Sequence, residues 1–217
     1  MKRKIIPKLF LSIILMFVVF MSICEAVSED ISGGIVRLHI IANSNSEEDQ
    51  EVKLKVRDKI IEYAKGYDDI DIDFAEEHKD EIKKIADKTL SENGFLYESY
   101  IDTGRFNFPT KTYENITLPK GEYDAVKIVL GKGGGENWWC VMFPPLCFTE
   151  SVKGELSESD EQKLRRTMSD AEYEIISDEK IEFKPAFRAL ELWAEIKEKY
   201  KKSYNGLLYF ENDCGIF

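Results

Sequence analysis

Hydrophobic and polar positions change their spacing several times along these 217 residues, and each change marks an element. Ile35 to Asn43 (IVRLHIIAN) is apolar and rich in β-branched residues, which predicts a buried first strand. Ser44-Asn45-Ser46 breaks it. Ser46 with Asp49 three residues on, and Glu47 and Glu48 in the first turn, make a helix start. Val52, Val56, Ile60 and Tyr63 then recur on one helical stripe that Gly66 ends. A second helix is predicted from about Asp73 to Asn93, with Phe74, Ile82, Ile85, Ala86 and Leu90 inward and Gly94 at the C′ position.

From Phe95 the period becomes two. Leu96–Phe108, Tyr113–Leu118, Tyr123–Leu130 and Asn137–Phe143 are predicted strands. Leu118-Pro119-Lys120-Gly121 has the residues of a type I turn, and Gly131 to Gly135 is a glycine-rich connection. The order β-α-α-β-β-β-β predicts an α+β fold: a mainly antiparallel sheet with two helices packed on one side. After Phe148 the chain turns polar and acidic. A short helix is expected near Asp160–Thr167, and Pro185 opens an amphipathic helix to about Lys201 carrying Ala186, Leu190, Trp193 and Tyr200. Residues 27–150 are therefore expected to be the principal domain, and 151–217 an acidic, partly helical extension rather than a second core.

The N-terminus has the order of a secretory signal peptide: Lys2, Arg3, Lys4 and Lys8, then an apolar stretch from Leu9 to Ile23, then Cys24-Glu25-Ala26. An uncleaved anchor is the alternative for residues 1–26. A lipoprotein signal is rejected, because Ile23 stands where a small residue would precede the lipidated cysteine. Removing these residues takes away the four basic side chains and Glu25, and the formal charge moves from −11 to −14. Such a surface disfavours nucleic acid and anionic lipid. It also keeps an exported protein soluble.

Cys140 and Cys147 flank Pro144-Pro145, and a disulfide between them is the leading reading; free buried thiols, catalysis and metal binding stay open. Cys214 is an odd thiol. His39 and His78 are too few and too scattered for a zinc site or a triad. The aspartates of DDIDID lack the calcium-loop spacing, and Gly131–Gly135 lacks the ending of a phosphate loop. No catalytic residues, metal, cofactor or small-molecule substrate are expected. Adjacent Trp138 and Trp139 must face opposite sides of a strand, so either one fills the core and the other is available to a partner, or both are buried between sheet and helices.

Three stretches resemble the stage II sporulation protein R family: RLHIIANSNSEEDQEVKLKVRD (Arg37–Asp58), GRFNFPTKTYENITLPKGEYDAVKIVLG (Gly104–Gly131) and ENWWCVMFPPLCF (Glu136–Phe148). The resemblance covers most of residues 35–148. It implies a protein made in the forespore and secreted into the space between forespore and mother cell. There it would activate a membrane-embedded aspartic protease of the mother cell, which removes the pro-sequence of a sigma-factor precursor. The chain would then be a signalling ligand and not an enzyme, with a secreted cell-envelope hydrolase as the alternative. Among the matching positions, Arg37, Asn43, Lys53, Lys55, Arg57, Thr110, Lys111, Tyr113, Trp138 and Trp139 are expected to meet the partner. Basic and polar groups on so acidic a protein otherwise lack a motive.

Overall fold

The computed structural model describes residues 5–67, 69–113, 115–144, 146, 158–177 and 185–213. A long helix, α1 (Ile5–Gly33), leads into β1 (Val36–Ile41). Three helices follow: α2 (Glu47–Ala64), α3 (Ile72–Glu77) and α4 (Lys79–Glu92). Next come β2 (Ser99–Phe108), the hairpin strands β3 (Lys111–Tyr113) and β4 (Ile116–Leu118), β5 (Gly121–Leu130) and β6 (Asn137–Phe143). Helices α5 (Glu158–Arg166), α6 (Asp170–Ile176) and α7 (Pro185–Asp213) complete the described chain.

The main sheet has the order β2-β5-β1-β6. β1 is parallel to β5 and antiparallel to β6, and β2 is antiparallel to β5, so the α+β, mainly antiparallel expectation holds. The one parallel pair requires a crossover. Helices α2–α4, β2 and the β3–β4 hairpin make up that connection, and the helices cover one face with Val52, Val56, Ile60, Ile82, Ala86 and Leu90 over Leu38, Ile40, Val126 and Ile128. Ser46 caps α2 as its position predicts, accepting from the Asp49 amide at 3.2 Å. Asn93 is the C-cap of α4, and Gly94 follows at φ 85°, a conformation that suits glycine.

Two elements differ from expectation for local reasons. The single helix expected over 73–93 is broken at His78, whose backbone (φ −96°, ψ 8°) is not helical. Its ring stacks on Phe74 at 3.9 Å, and its Nδ1 lies 2.9 Å from the Phe74 carbonyl. The strand expected over 113–118 folds back as the β3–β4 hairpin, with Asn115 in the turn and Thr112 bonded to Thr117 across it at 3.0 Å.

The second face of the sheet is also dry. Ile35, Phe108, Tyr123, Ala125 and Val141 are covered there by the end of α1, the β3–β4 hairpin and the C-terminal helices. Leu164, Tyr173, Ile176 and Leu190 are buried in this layer, so the acidic extension contributes side chains to the fold. Helix α6 was not anticipated, although Ser169 and Glu172 form a capping box that the sequence displays. Helix α7 starts at Pro185 as expected and continues past Lys201 to Asp213.

Helix α1 is continuous through the expected cleavage region. Its Phe10–Gly33 stretch is the one described helix long and apolar enough to cross a membrane, and an N-terminal signal sequence passes the same test. Its last turns are packed: Cys24 and Ile31 are buried, and Glu25 accepts from Trp193 Nε1 at 2.5 Å and from Lys197 Nζ at 2.7 Å.

If the C-terminal helices are part of the core, trimming Ile176, which is fully buried, should be costly. Ile176→Ala is expected to destabilise the protein by about 2–4 kcal/mol. Urea unfolding measures this, and a loss under about 0.5 kcal/mol, the size of a surface substitution, would show an independent appendage.

Candidate functional site

The expected partner residues gather around β6, the edge strand of the sheet. Alternation along Asn137–Phe143 sends Trp138 and Cys140 toward the helical layer and Trp139 and Val141 toward the opposite layer. Each tryptophan is half-buried, one against each core. Both are therefore explained by a strand that is clothed on two sides.

On the helical face, α2 lays two cations across β6. Arg57 is 3% exposed, and its Cζ lies 4.5 Å from the centre of the Trp138 ring. Its Nε and Nη2 both donate to Asp58 at 2.7 Å, while its Nη1 and the indole Nε1 of Trp138 are buried with no hydrogen-bond partner. Lys53, 4% exposed, donates to Gln50 Oε1 at 2.5 Å and to the Glu136 carbonyl at 3.1 Å. Burial lowers its pKa; Glu136 acts against that and Arg57 adds to it. Lys55 points outward and donates to Asn93 at 2.7 Å, tying α2 to the end of α4.

On the opposite face Arg37 is fully buried on β1. Its Nε donates to the Cys140 carbonyl at 3.0 Å and its Nη2 to Tyr113 Oη at 2.8 Å. The guanidinium also lies over Phe108 (4.4 Å) and Tyr123 (4.9 Å), an aromatic cage that compensates part of its desolvation. Tyr113 passes its own proton to the Trp139 carbonyl at 3.2 Å. Trp139 stacks on His39 at 3.8 Å, and His39 Nε2 lies 2.7 Å from Asn137 Oδ1. Burial pushes the His39 pKa below the ordinary imidazole value, with Lys127 adding to the shift and Asn137 opposing it. Thr110 donates to Glu191 of α7 at 2.7 Å, and Lys111 is half-buried on β3. The expected partner residues thus divide between two faces of the sheet. Of the two described core cysteines, Cys24 is a free thiol and Cys140 is not; Cys147 and Cys214 lie outside the described residues.

Asn43 belongs to a third arrangement. The Ala42-Asn43-Ser44 strand end is fastened to the glycine loop and to α2 at once. Gly135 N donates to the Ala42 carbonyl at 2.9 Å, Gly134 N to the Asn43 carbonyl at 3.0 Å, and Lys132 N to Asn43 Oδ1 at 3.0 Å. A Cβ on Gly131 would come within 2.4 Å of Asn43 Oδ1, which together with φ 55° explains the glycine there. Asp49 is the hub. It accepts from Ser44 Oγ (2.5 Å), Asn43 Nδ2 (2.9 Å) and Tyr97 Oη (2.5 Å). The run I-A-N-S signals this turn, whereas Tyr97 and Gln50 carry no sequence signal that would single them out.

Burial acts to raise the Asp49 pKa, but hydrogen bonds from Ser44, Tyr97, Asn43 and Ser46 outweigh it and leave the folded value below the ordinary one. A depressed folded pKa supplies stability above the unfolded value of about 3.9, lost as pH falls through the lower folded value. Asp49→Asn should therefore lower the urea midpoint at pH 7, with the difference from the parent closing below about pH 4. An equal difference at pH 7 and pH 3 would remove the carboxylate charge from this role.

Among the described residues, no three His, Cys, Asp or Glu side chains converge as a metal site. The family model for stage II sporulation protein R matches residues 32–153, which takes in β1 through β6, the Asp49 hub and the Arg57–Trp138 corner. The chain is 41% identical over 135 residues to stage II sporulation protein R of Bacillus subtilis (strain 168). That alignment spans 59% of this chain and 60% of the relative's length. No solved structure matches the chain. The shared segment includes the strand end, helix α2 and the tryptophan strand, and the chain belongs to the stage II sporulation protein R family.

Proposed function

We propose that the protein is an exported sporulation signal that acts by binding, with catalysis residing in its partner. The observation that carries this reading is family membership over the whole sheet domain. The apolar helix α1, which runs directly into that domain, supports export across the forespore membrane. The domain would face the space between forespore and mother cell. There it would engage a membrane-embedded aspartic protease of the mother cell and favour its active state, so that the pro-sequence of a sigma-factor precursor is removed. A ligand can do this only by binding the active state of the protease more tightly than the inactive one.

Cys140 and Cys147 are inferred to pair, which suits an oxidising compartment. Cys140 is not a free thiol, so the envelope-hydrolase alternative loses the nucleophile it would use.

Co-expression in vegetative cells tests the proposal. The protein, the protease and the sigma-factor precursor are produced together, and precursor cleavage is followed on a gel. Cleavage is expected with the full chain and is expected to disappear when residues 1–26 are removed. A precursor that stays intact beside exported, folded protein would overturn the signalling reading.

A further inference from the structure

Edge strand β6 and helix α2 meet at a corner where two cations, Lys53 and Arg57, are buried beside Asp58 and Glu136. The chain carries a formal charge of −11, yet Lys53 and Arg57 are both held almost fully buried here. Two donors at this corner, Arg57 Nη1 and Trp138 Nε1, have no acceptor. Arg57 Cζ lies 4.5 Å from the centre of the Trp138 ring, so the two residues that carry these donors are in contact. Asp58 occupies the Nε–Nη2 edge of the guanidinium and leaves Nη1 unserved. Buried donors are nearly always satisfied in folded proteins, and leaving two together is unfavourable for the isolated chain.

We propose that the Lys53–Arg57–Trp138 corner receives a carboxylate, the side chain of an aspartate or glutamate on an extended segment of the protein partner. The proposal rests on the reading of the chain as a binding signal and specifies the chemistry its partner must present. Arginine offers a planar edge and indole a single N–H; both only donate, and both are complemented by the paired oxygens of a carboxylate. Lys53 supplies further positive potential. A protein segment is the fitting source because the corner adjoins a sheet edge: β6 is the last strand in the order, and Glu136 and Asn137 at its start are exposed. An extended segment laid beside such an edge can deliver one side chain into the corner.

Trp138→Phe separates this role from a structural one. It keeps an aromatic ring beneath Arg57 and deletes the donor that nothing in the fold accepts, together with the second ring of the indole. Its thermal midpoint is expected to stay near that of the parent, because removing an unsatisfied donor offsets part of the lost ring packing. In the co-expression assay its half-maximal dose for precursor cleavage should rise roughly ten-fold, as expected for losing one hydrogen bond to a charged group. Arg57→Lys, which keeps the charge and loses the planar edge, should raise the dose similarly. Parental dose dependence in a normally folded Trp138→Phe protein overturns the proposal.

A second measurement does not depend on signalling. The full chain in detergent gives three indole N–H signals, one for each tryptophan, and sodium acetate should shift that of Trp138 where sodium chloride does not. Absence of that shift, or an equal shift with phosphate, overturns carboxylate recognition. If the parent fails to trigger cleavage, the proposed function falls, and the acetate response still decides the site.

Discussion

The fold is governed by one constraint: β1 lies between β5 and β6 with both of its faces removed from water. Val36, Leu38 and Ile40 meet the helical layer, which is ordinary hydrophobic burial. Arg37 and His39 point the other way, and a cation in that position must be solvated by protein. The chain supplies a backbone carbonyl, a phenol and three aromatic rings around the Arg37 guanidinium. Those groups come from β2, β3, β5 and β6, so one buried charge specifies how the hairpin and the tryptophan strand sit against the central strand. Replacing such a charge by an apolar residue is often neutral or stabilising in isolated domains. The use of Arg37 therefore lies in the arrangement it specifies.

The same constraint explains why the termini matter to the domain. A second apolar face cannot be left open to water, and residues before β1 and after β6 close it. Cys24 and Ile31 of α1 and Leu164, Ile176 and Leu190 of the C-terminal helices share one layer. The family segment ends at residue 153, before the helices that complete this layer. Cover from outside the shared segment is a place where chains built on the same sheet can differ.

What the sequence disclosed follows the range of the interactions. Periodicity and capping are local, so β1, α2, β5 and β6 were legible to within a few residues, as was the Ser46 cap. The break at His78 was not, because it is made by a ring stacking on Phe74 rather than by glycine or proline. The parallel pairing of β1 with β5 and the second apolar layer depend on contacts between distant segments, which no short pattern encodes. The acidic composition of residues 151–177 concealed Leu164, Tyr173 and Ile176, whose inward side chains form a sparse stripe among charged neighbours. The candidate partner residues were found by resemblance, but sequence alone did not show that Arg37, Tyr113, Asn43, Arg57 and Trp138 among them serve three arrangements: the Arg37 cage, the Asp49 hub and the Arg57–Trp138 corner.

These arrangements differ in how fully their polar groups are used. Every described oxygen and nitrogen acting at the Asp49 hub has a near partner, and such closure is characteristic of a group that holds a turn in place. Arg37 has one unpartnered nitrogen, but it sits at 0% exposure behind an aromatic cage, out of reach of an arriving molecule. At the Arg57–Trp138 corner the unpartnered donors are buried too, but they come from two residues, one of which, Trp138, is half-buried on the edge strand. A fold selected for stability alone would gain by filling or removing those donors, since each is a small uncompensated cost. Retained beside an edge strand, they support the proposed recognition, because an interaction left unmade in the free protein is one a ligand can complete.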